Sequence, residues 1–543
     1  MARTKPARHH VARGTRPKIL RKHMSVSGMP GSGKTTFLMG LLVSLAILGI
    51  PFILFEPGRS EYRLLKCLKA IAHAAVSVLA KALRIYTPGN ERVSPIRLNP
   101  FWRPPGVSVN EHIQNLMACF KGAVAMEEPL PSLLQNALAL LYHRHPHRDH
   151  PPTMSGLLRT ALEVLAARHY PPDVHNTLSG AIKSRLEPLA GLALGRMFKC
   201  DHGIPALPQL MGGFSVIELA ALEEEHACLW IQFILMQIRE YIKATPWTGQ
   251  GVRLVLIVEE AHALVGRDTN AKASDTNADP RAFASRSFCR LLLEFRALGV
   301  AVIIIDQHPS NVAADVIKAP CTKIAFRQVA GDDREELANA MLLGPVEMEN
   351  LARLKPGEAY FFTEGYFRPL LIQTLDLRKE WNMPEPPVGE AILPWIRDDE
   401  WFREAAQARV GAELGELLDA MSEYQKHLAN TAQRAQALAK AEKDIRQWKG
   451  PRRDRYLAAI LRKATLLRSE LEESFEKFDV DAYWPLSDDV LIADIADDDL
   501  RTVRDGLVHR YETKVKPKTA KCLQAIVRLI ERCTPLYPGL RGV

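Results

Sequence analysis

Residues 28–36 read Gly28-Met29-Pro30-Gly31-Ser32-Gly33-Lys34-Thr35-Thr36, and few strings restrict a chain more. The spacing is G-x-x-x-x-G-K-T. Glycines at 28, 31 and 33 let backbone N–H groups turn inward around phosphate oxygens, where side chains would clash. The helix that must follow points its positive N-terminus at the same oxygens. Lys34 is then placed for β- and γ-phosphates, and Thr35 for Mg²⁺. The context agrees: Met24-Ser25-Val26-Ser27 reads as a short strand before the loop, and an apolar helix follows it. Gly28, Gly31, Ser32, Gly33, Lys34, Thr35 and Thr36 form the expected nucleotide-binding set, with ATP and Mg²⁺ as the expected ligands.

From Phe37 to Phe55 the chain carries no charge and is long enough to span a bilayer. It begins one turn inside the helix that the glycine loop must open, and Gly49-Ile50-Pro51 interrupts it. The expectation is a buried helix from Thr35 to about Leu48 and a buried strand from Phe52 to Glu56, with no membrane span. Central elements of a parallel sheet are this apolar because both faces are covered.

Further strand-like runs stand at Arg84–Thr87, Phe214–Leu219, Leu254–Val258, Val300–Ile305, Lys323–Phe326, Ala359–Phe362 and Phe367–Ile372. Helical patterns lie between several of them. That alternation predicts an α/β fold with a mainly parallel sheet wrapped by helices. From about 107 to 210 the apolar period is helical, which suggests a helical insert. Trp381–Pro387 is a proline-rich connector within 381–400, and 401–543 reads as an all-helical accessory domain with a local acidic patch at Asp488–Asp499. Residues 267–280 form a polar loop.

The chain of 543 residues has a net charge of +9 and a pI near 9.0, which suits a polyanionic partner without requiring one. Residues 1–20 hold many arginines and lysines and no acid, either a basic arm for phosphates or a solvated tail. Eight cysteines are scattered with no C-x-x-C pair, as expected of reduced thiols in a cytoplasmic protein. His143, His145, His147 and His150 are dense enough to bind metal but lack a completing cysteine or carboxylate pair, so a polar turn is expected; Cys200-Asp201-His202 is read the same way.

A P-loop that hydrolyses ATP needs a carboxylate site. Leu254–Val258 runs into Glu259-Glu260-Ala261-His262, a buried strand ending in two acids at the edge where ligands collect. Glu259 is expected to hold Mg²⁺ through water, and Glu260 to polarise the attacking water. Val300–Ile305 ends in Asp306-Gln307-His308, and Gln307 is placed to sense the γ-phosphate or orient water. Arg296, at the opening of that strand, and Arg327 are the candidates for neutralising charge on the transferred phosphoryl group.

This ordered set resembles the HerA–FtsK superfamily of hexameric P-loop motors, in its HerA-like branch near the conjugative secretion ATPases. The resemblance also rests on Glu56-Pro57-Gly58-Arg59-Ser60-Glu61-Tyr62-Arg63, Tyr86-Thr87-Pro88-Gly89-Asn90, Leu98-Asn99-Pro100-Phe101, Glu294-Phe295-Arg296-Ala297-Leu298-Gly299 and Asp306-Gln307-His308-Pro309-Ser310. It covers about 21–377, so 21–380 is expected to be a RecA-like ATPase domain. The resemblance implies a homo-hexameric ring with ATP between subunits and an arginine supplied by a neighbour. It also implies translocation of double-stranded DNA, and a nuclease or other effector partner, as in end processing or antiviral defence. A secretion-type motor for protein or nucleoprotein, or an ATP-bound scaffold ring, stays open. One departure is that HerA proteins carry a small β-barrel ahead of the P-loop, whereas 27 residues precede Gly28 here. Another is that Glu259 stands where many P-loop enzymes use Asp.

Overall fold

The computed structural model describes residues 21–58, 60–70, 74–91, 93–123, 126–147, 150–247, 251–265, 280–380, 396, 399–448, 451–477, 506 and 509–534. The basic arm, nearly all of the polar loop, the connector and the acidic patch lie outside them.

Among the described residues nine strands form one sheet: β1 (Met24–Ser27), β2 (Phe52–Glu56), β3 (Leu83–Tyr86), β4 (Phe214–Glu218), β5 (Leu254–Glu259), β6 (Val300–Asp306), β7 (Thr322–Ala325), β8 (Glu358–Thr363) and β9 (Leu370–Gln373). Their order across the sheet is β3-β4-β2-β5-β6-β1-β7-β8-β9. The seven from β3 to β7 pair in parallel, and β8 and β9 close the edge antiparallel. Helices α1 (Lys34–Ile47) and α2 (Ala74–Ala82) precede β3. Between β3 and β4 lie α3 (Val109–Ala123), α4 (Leu130–Arg144), α5 (Met154–Ala167), α6 (Pro172–Ala190), α7 (Leu192–Phe198) and α8 (Leu207–Gly212). Then come α9 (Glu224–Ala244), α10 (His262–Val265), α11 (Pro280–Ala297), α12 (Ala314–Lys318), α13 (Gly331–Met341), α14 (Pro345–Leu351) and α15 (Leu377–Glu380), followed by α16 (Asp399–Ile445), α17 (Pro451–Lys477) and α18 (Lys516–Cys533).

Side chains of a strand point alternately to opposite faces. Along β6, Val300, Val302 and Ile304 enter one core with Leu116 and Phe120 of α3, Trp230 of α9 and Phe295 of α11. Ala301, Ile303 and Ile305 enter the other with Leu38 and Met39 of α1. β2 divides the same way, with Ile53 and Phe55 on the first side and Phe52 and Leu54 on the second. Both faces are therefore covered, which is why these strands read as unbroken apolar runs. The uncharged stretch 37–55 splits into α1, a turn at Gly49 with φ of 67°, and β2. No described helix is long and apolar enough to cross a membrane.

Most expected strand edges shift by a residue or more, and two of the shifts have a plain cause. The run expected from Phe367 becomes a strand only at Leu370, because Pro369 has no N–H to give a ladder and the chain first turns through Tyr366 N–H to Thr363 O (3.1 Å). Thr87 leaves the sheet and closes its own loop, its N–H donating to Ser94 O at 2.8 Å.

Contacts divide the chain after Ala405. In the first unit, Ile396 is buried in the same core as α1 and β2. Buried Arg97 forms a paired bond to Glu91 (2.8 and 2.6 Å), and its Nε donates to Ala405 O at 2.8 Å. The second unit has its own core, including Met421, Tyr424, Leu461, Leu467, Leu471, Ile526 and Leu529.

Burying an isoleucine is worth about 2 kcal/mol, and a buried N–H left without an acceptor costs about 1–3 kcal/mol. A chain ending at residue 384 loses both Ile396 and the Ala405 carbonyl. It should therefore unfold in urea at about 3–5 kcal/mol lower stability than one ending at residue 410. Equal midpoints would show that the two contacts contribute nothing.

Candidate nucleotide and hydrolytic site

The glycine loop leaves the C-terminal end of β1, between the ends of β6 and β7. Backbone bonds pin it on three sides: Gly28 N–H to Asp306 O (3.3 Å), Met29 N–H to Arg327 O (2.9 Å), and Gly357 N–H to Ser32 O (2.8 Å). The glycines are needed for close approach. A Cβ on Gly28 would lie 2.6 Å from Phe326 Cβ, and one on Gly33, whose φ is 109°, would lie 2.9 Å from Gly357 N. Gly33 caps α1 with no side-chain bond, so the first N–H groups of the helix face the loop without a capping oxygen. The hydroxyl of Ser32 is buried with no hydrogen-bond partner. An uncapped helix start, a cradle that a Cβ would fill and an orphaned hydroxyl together suit a phosphate group.

Lys34 Nζ donates to the loop's own carbonyls, Gly28 O and Met29 O, the latter at 3.1 Å. Burial lowers its pKa, opposed by the carboxylates of Glu260, Glu259, Asp306 and Glu61. Thr35 and Thr36 lie half-buried in the first turn of α1.

Glu259 is the last residue of β5. Burial pushes its carboxyl up to about 7, against a hydrogen bond from the Tyr62 hydroxyl that pulls it down. Glu260 follows with φ of 47°, a left-handed conformation. Its Oε1 accepts from Gln307 Nε2, so the two residues meet across the ends of β5 and β6. Gln307's carbonyl accepts from Gln328 Nε2 at 2.6 Å.

Several members of the site were not assigned a role from sequence. Asp306 is 1% exposed and accepts from His262 N (2.8 Å), His262 Nδ1 (3.0 Å) and His308 N (2.8 Å). Its bond to the imidazole raises the pKa of His262. Tyr62 is fully buried against Glu259. Glu56, at the tip of β2, is also buried, and burial pushes its pKa up to about 10; Glu61 N donates to its Oε1 at 2.7 Å. Glu218, at the tip of β4, forms a paired bond with Arg63 (2.8 and 2.7 Å). The available signal was positional: each acid closes a buried parallel strand.

The arginines fall in different places. Arg296 does not open β6: it ends α11, because Gly299 with φ of 77° is the break before the strand starts at Val300. It lies beside Cys321, ahead of β7, at the strand end away from the glycine loop. Arg327 adjoins the glycine loop of its own chain, and its Nε is buried without a hydrogen-bond partner. Among the described residues one trio of metal-ligating types is close enough to share an ion, Glu260, His262 and Asp306; the histidines at 143–150 make no such trio. Cys200 is buried, and burial pushes its thiol up to about 12.

The fold and the glycine loop define a RecA-like P-loop nucleoside triphosphatase. No family model matches the chain. It is similar to the DNA double-strand break repair helicase HerA of Sulfolobus acidocaldarius, 25% identical over 194 residues, which are 35% of this chain and 36% of that protein. It is also similar to HerA of Sulfurisphaera tokodaii, 26% identical over 202 residues, 34% of this chain and 39% of the relative. The matches span little more than a third of the length of these curated relatives. Among solved structures, VirB4 of Thermoanaerobacter pseudethanolicus overlaps 66% of this chain and 90% of its own, at 17% identity and a TM-score of 0.46. The plasmid coupling protein TrwB in complex with ADP and Mg²⁺ overlaps 66% and 86%, at 13% and 0.47. Over about a third of its length the chain is thus similar in sequence to HerA helicases.

Glu56 gives a pH test. Its pKa in the fold lies above the 4.5 of an exposed glutamate, so the folded state holds the proton more tightly than the unfolded chain. Its contribution is complete below that value and is lost as pH rises towards 10. At pH 7 keeping it neutral costs about 3 kcal/mol. Glu56→Gln should be more stable than the parent at pH 7–9 and similar at pH 4.5, in thermal melts. Parallel stability curves for the two proteins would mean that Glu56 is ionised in the fold.

Proposed function

We propose that this chain binds ATP with Mg²⁺ in a ring, hydrolyses it at the β1–β5–β6 edge, and uses the turnover to move or remodel double-stranded DNA. One observation carries the reading: Lys34, Glu259, Glu260 and Gln307 converge on one sheet edge, with Gln307 bonded to Glu260. Three uncharged loops meeting there would not need these groups.

Each residue has a role. Lys34 exchanges the carbonyls of Gly28 and Met29 for β- and γ-phosphate oxygens. Gly28, Gly31, Ser32, Gly33 and Thr36 line the phosphate cradle. Thr35 and Glu259 hold Mg²⁺, Glu259 through water; the ion supplies charge neutralisation between the phosphates. Burial makes Glu259 hold its proton more tightly than an exposed carboxyl does, and a cation brought beside it favours the carboxylate. Glu260 polarises the attacking water, and Gln307 orients it.

The DNA reading is supported by the sequence relation to HerA, described as a DNA repair helicase, and by the net charge of +9. A hexamer, a cytoplasmic location and a nuclease or other effector partner in antiviral defence follow the same analogy. Placement favours Arg296 over Arg327 as the arginine given to a neighbour. Arg327 adjoins its own glycine loop, whereas Arg296 stands at the far strand end. Double-stranded DNA should raise ATPase turnover; turnover unmoved by DNA would favour a protein substrate instead.

Lys34→Ala should lower turnover by about 10³-fold or more, with weakened nucleotide binding and an unchanged circular dichroism spectrum. Glu260→Gln keeps shape but loses the base, so it should bind Mg·ATP and stall. Glu259→Ala should lose the Mg²⁺-dependent part of binding. Two acid variants that both still hydrolysed would sink the role assignment.

Subunit mixing tests the ring. An arginine supplied in trans is worth about 10³-fold in rate. Lys34→Ala and Arg296→Ala subunits, each inactive alone, should recover part of the activity when mixed, because some interfaces combine an intact loop with an intact arginine. Recovery with Arg327→Ala but not with Arg296→Ala would reverse the assignment of the arginines. No recovery with either, at any ratio, would argue against a shared site.

A further inference from the structure

Glu260 sits at φ of 47°, a backbone region that non-glycine residues occupy only when their surroundings hold them there. The hold comes from β6. Ala261 N–H donates to Ile305 O at 3.3 Å, and His262 N–H donates to Asp306 Oδ2 at 2.8 Å. The imidazole Nδ1 of His262 reaches the same oxygen at 3.0 Å and lies 3.6 Å from Glu260 Oε2. The other oxygen of Asp306 accepts from His308 N–H at 2.8 Å. One buried carboxylate therefore holds the residue two places after Glu260 and the residue one place after Gln307. The backbone carbonyl of Asp306 accepts from Gly28 N–H of the glycine loop, at 3.3 Å.

We propose that Asp306, with His262 as its partner, is a positioning residue that sets the reach between Glu260 and Gln307 and ties both to the glycine loop. The proposal rests on the ATPase reading above and deepens it. Ionised carboxylates accepting several N–H bonds make short, strong contacts, and only a group with two accepting oxygens can hold both turns. An amide cannot, because its NH₂ end would face an N–H donor. The grip on Gly28 is made by backbone and survives any side-chain change. The side chain therefore acts on the hydrolytic pair and leaves phosphate binding alone.

That separation sets the experiment. In Asp306→Asn, kcat should fall about 10²-fold, the size of effect produced by misplacing a reacting group by an ångström. The Kd for a slowly hydrolysed ATP analogue with Mg²⁺ should stay within about threefold of the parent. His262→Ala should lower kcat by about tenfold, and His262→Asn, which returns a donor near the Nδ1 position, should recover most of it. The His262 pair decides the matter should Asp306→Asn fail to fold, since His262 is only half-buried. The proposal is overturned by kcat unchanged in Asp306→Asn. It is overturned equally by a loss of analogue binding as large as the loss of kcat, or by His262→Asn no better than His262→Ala. A parent protein that binds Mg·ATP and never turns it over would remove the ATPase reading itself, and this proposal with it. A parent that hydrolyses while the variants match it removes this proposal alone.

Discussion

The site depends on three backbone hydrogen bonds that suspend the glycine loop between strand ends. Gly28 is tied to the end of β6, Met29 to the residues just past β7, and Ser32 to the turn before β8. None uses a side chain, so the loop's shape is set by sheet order and by the absence of Cβ atoms at Gly28 and Gly33. Because β1 lies between β6 and β7, the loop cannot shift without disturbing a parallel ladder on each side. Rigid parallel strands, apolar on both faces, thus give an exposed loop the precision that a loop alone would lack.

Around that loop the molecule gathers more negative charge than it balances. Glu56, Glu218, Glu259, Glu260 and Asp306 close or follow four neighbouring parallel strands. Arg63 answers Glu218, and Asp306 is satisfied by N–H donors. Glu56 and Glu259 respond instead by holding protons more tightly, because burial penalises their charged forms. A site in this condition favours cations. On the proposed reading, a divalent ion arriving with a nucleotide would lower those pKa values and release protons.

Most of the sheet could be read from sequence, because strands covered on both faces leave unbroken apolar runs, and the P-loop fixed where the first must end. Edges were harder. Pro369 delays β9 through a missing N–H, and Gly299 ends α11 where the sequence suggested that a strand began at Arg296. Of the candidate site, Lys34 and the acid pair stood out in sequence because their spacing is one that phosphate chemistry uses. Asp306 was visible in the same motif as Gln307, yet its contacts were not, since a strand-end acid capping two turns looks the same in sequence as one facing solvent. Tyr62 and Glu56 were quoted only within a family-like string. Their burial beside Glu259 depends on β2 lying next to β5, a neighbour relation between strands about 200 residues apart that no local pattern encodes.

Each reactive group in this arrangement is engaged by a partner within the site. Lys34 is held by the loop carbonyls, Glu259 by Tyr62, and Glu260 by Gln307. Nucleotide binding must therefore exchange hydrogen bonds rather than fill empty ones, and an exchange contributes only the difference between the two sets. The three exchanges differ in what they need. Phosphate oxygens suffice to draw Lys34 from neutral carbonyls, because an anionic oxygen attracts the ammonium more strongly than a carbonyl dipole does. Glu260 and Gln307 separate only when something else satisfies both an amide donor and a carboxylate acceptor. A water positioned against a γ-phosphate offers both, and ADP does not. On the proposed reading, the bond between Glu260 and Gln307 would open when a water held against a γ-phosphate takes the place of each partner.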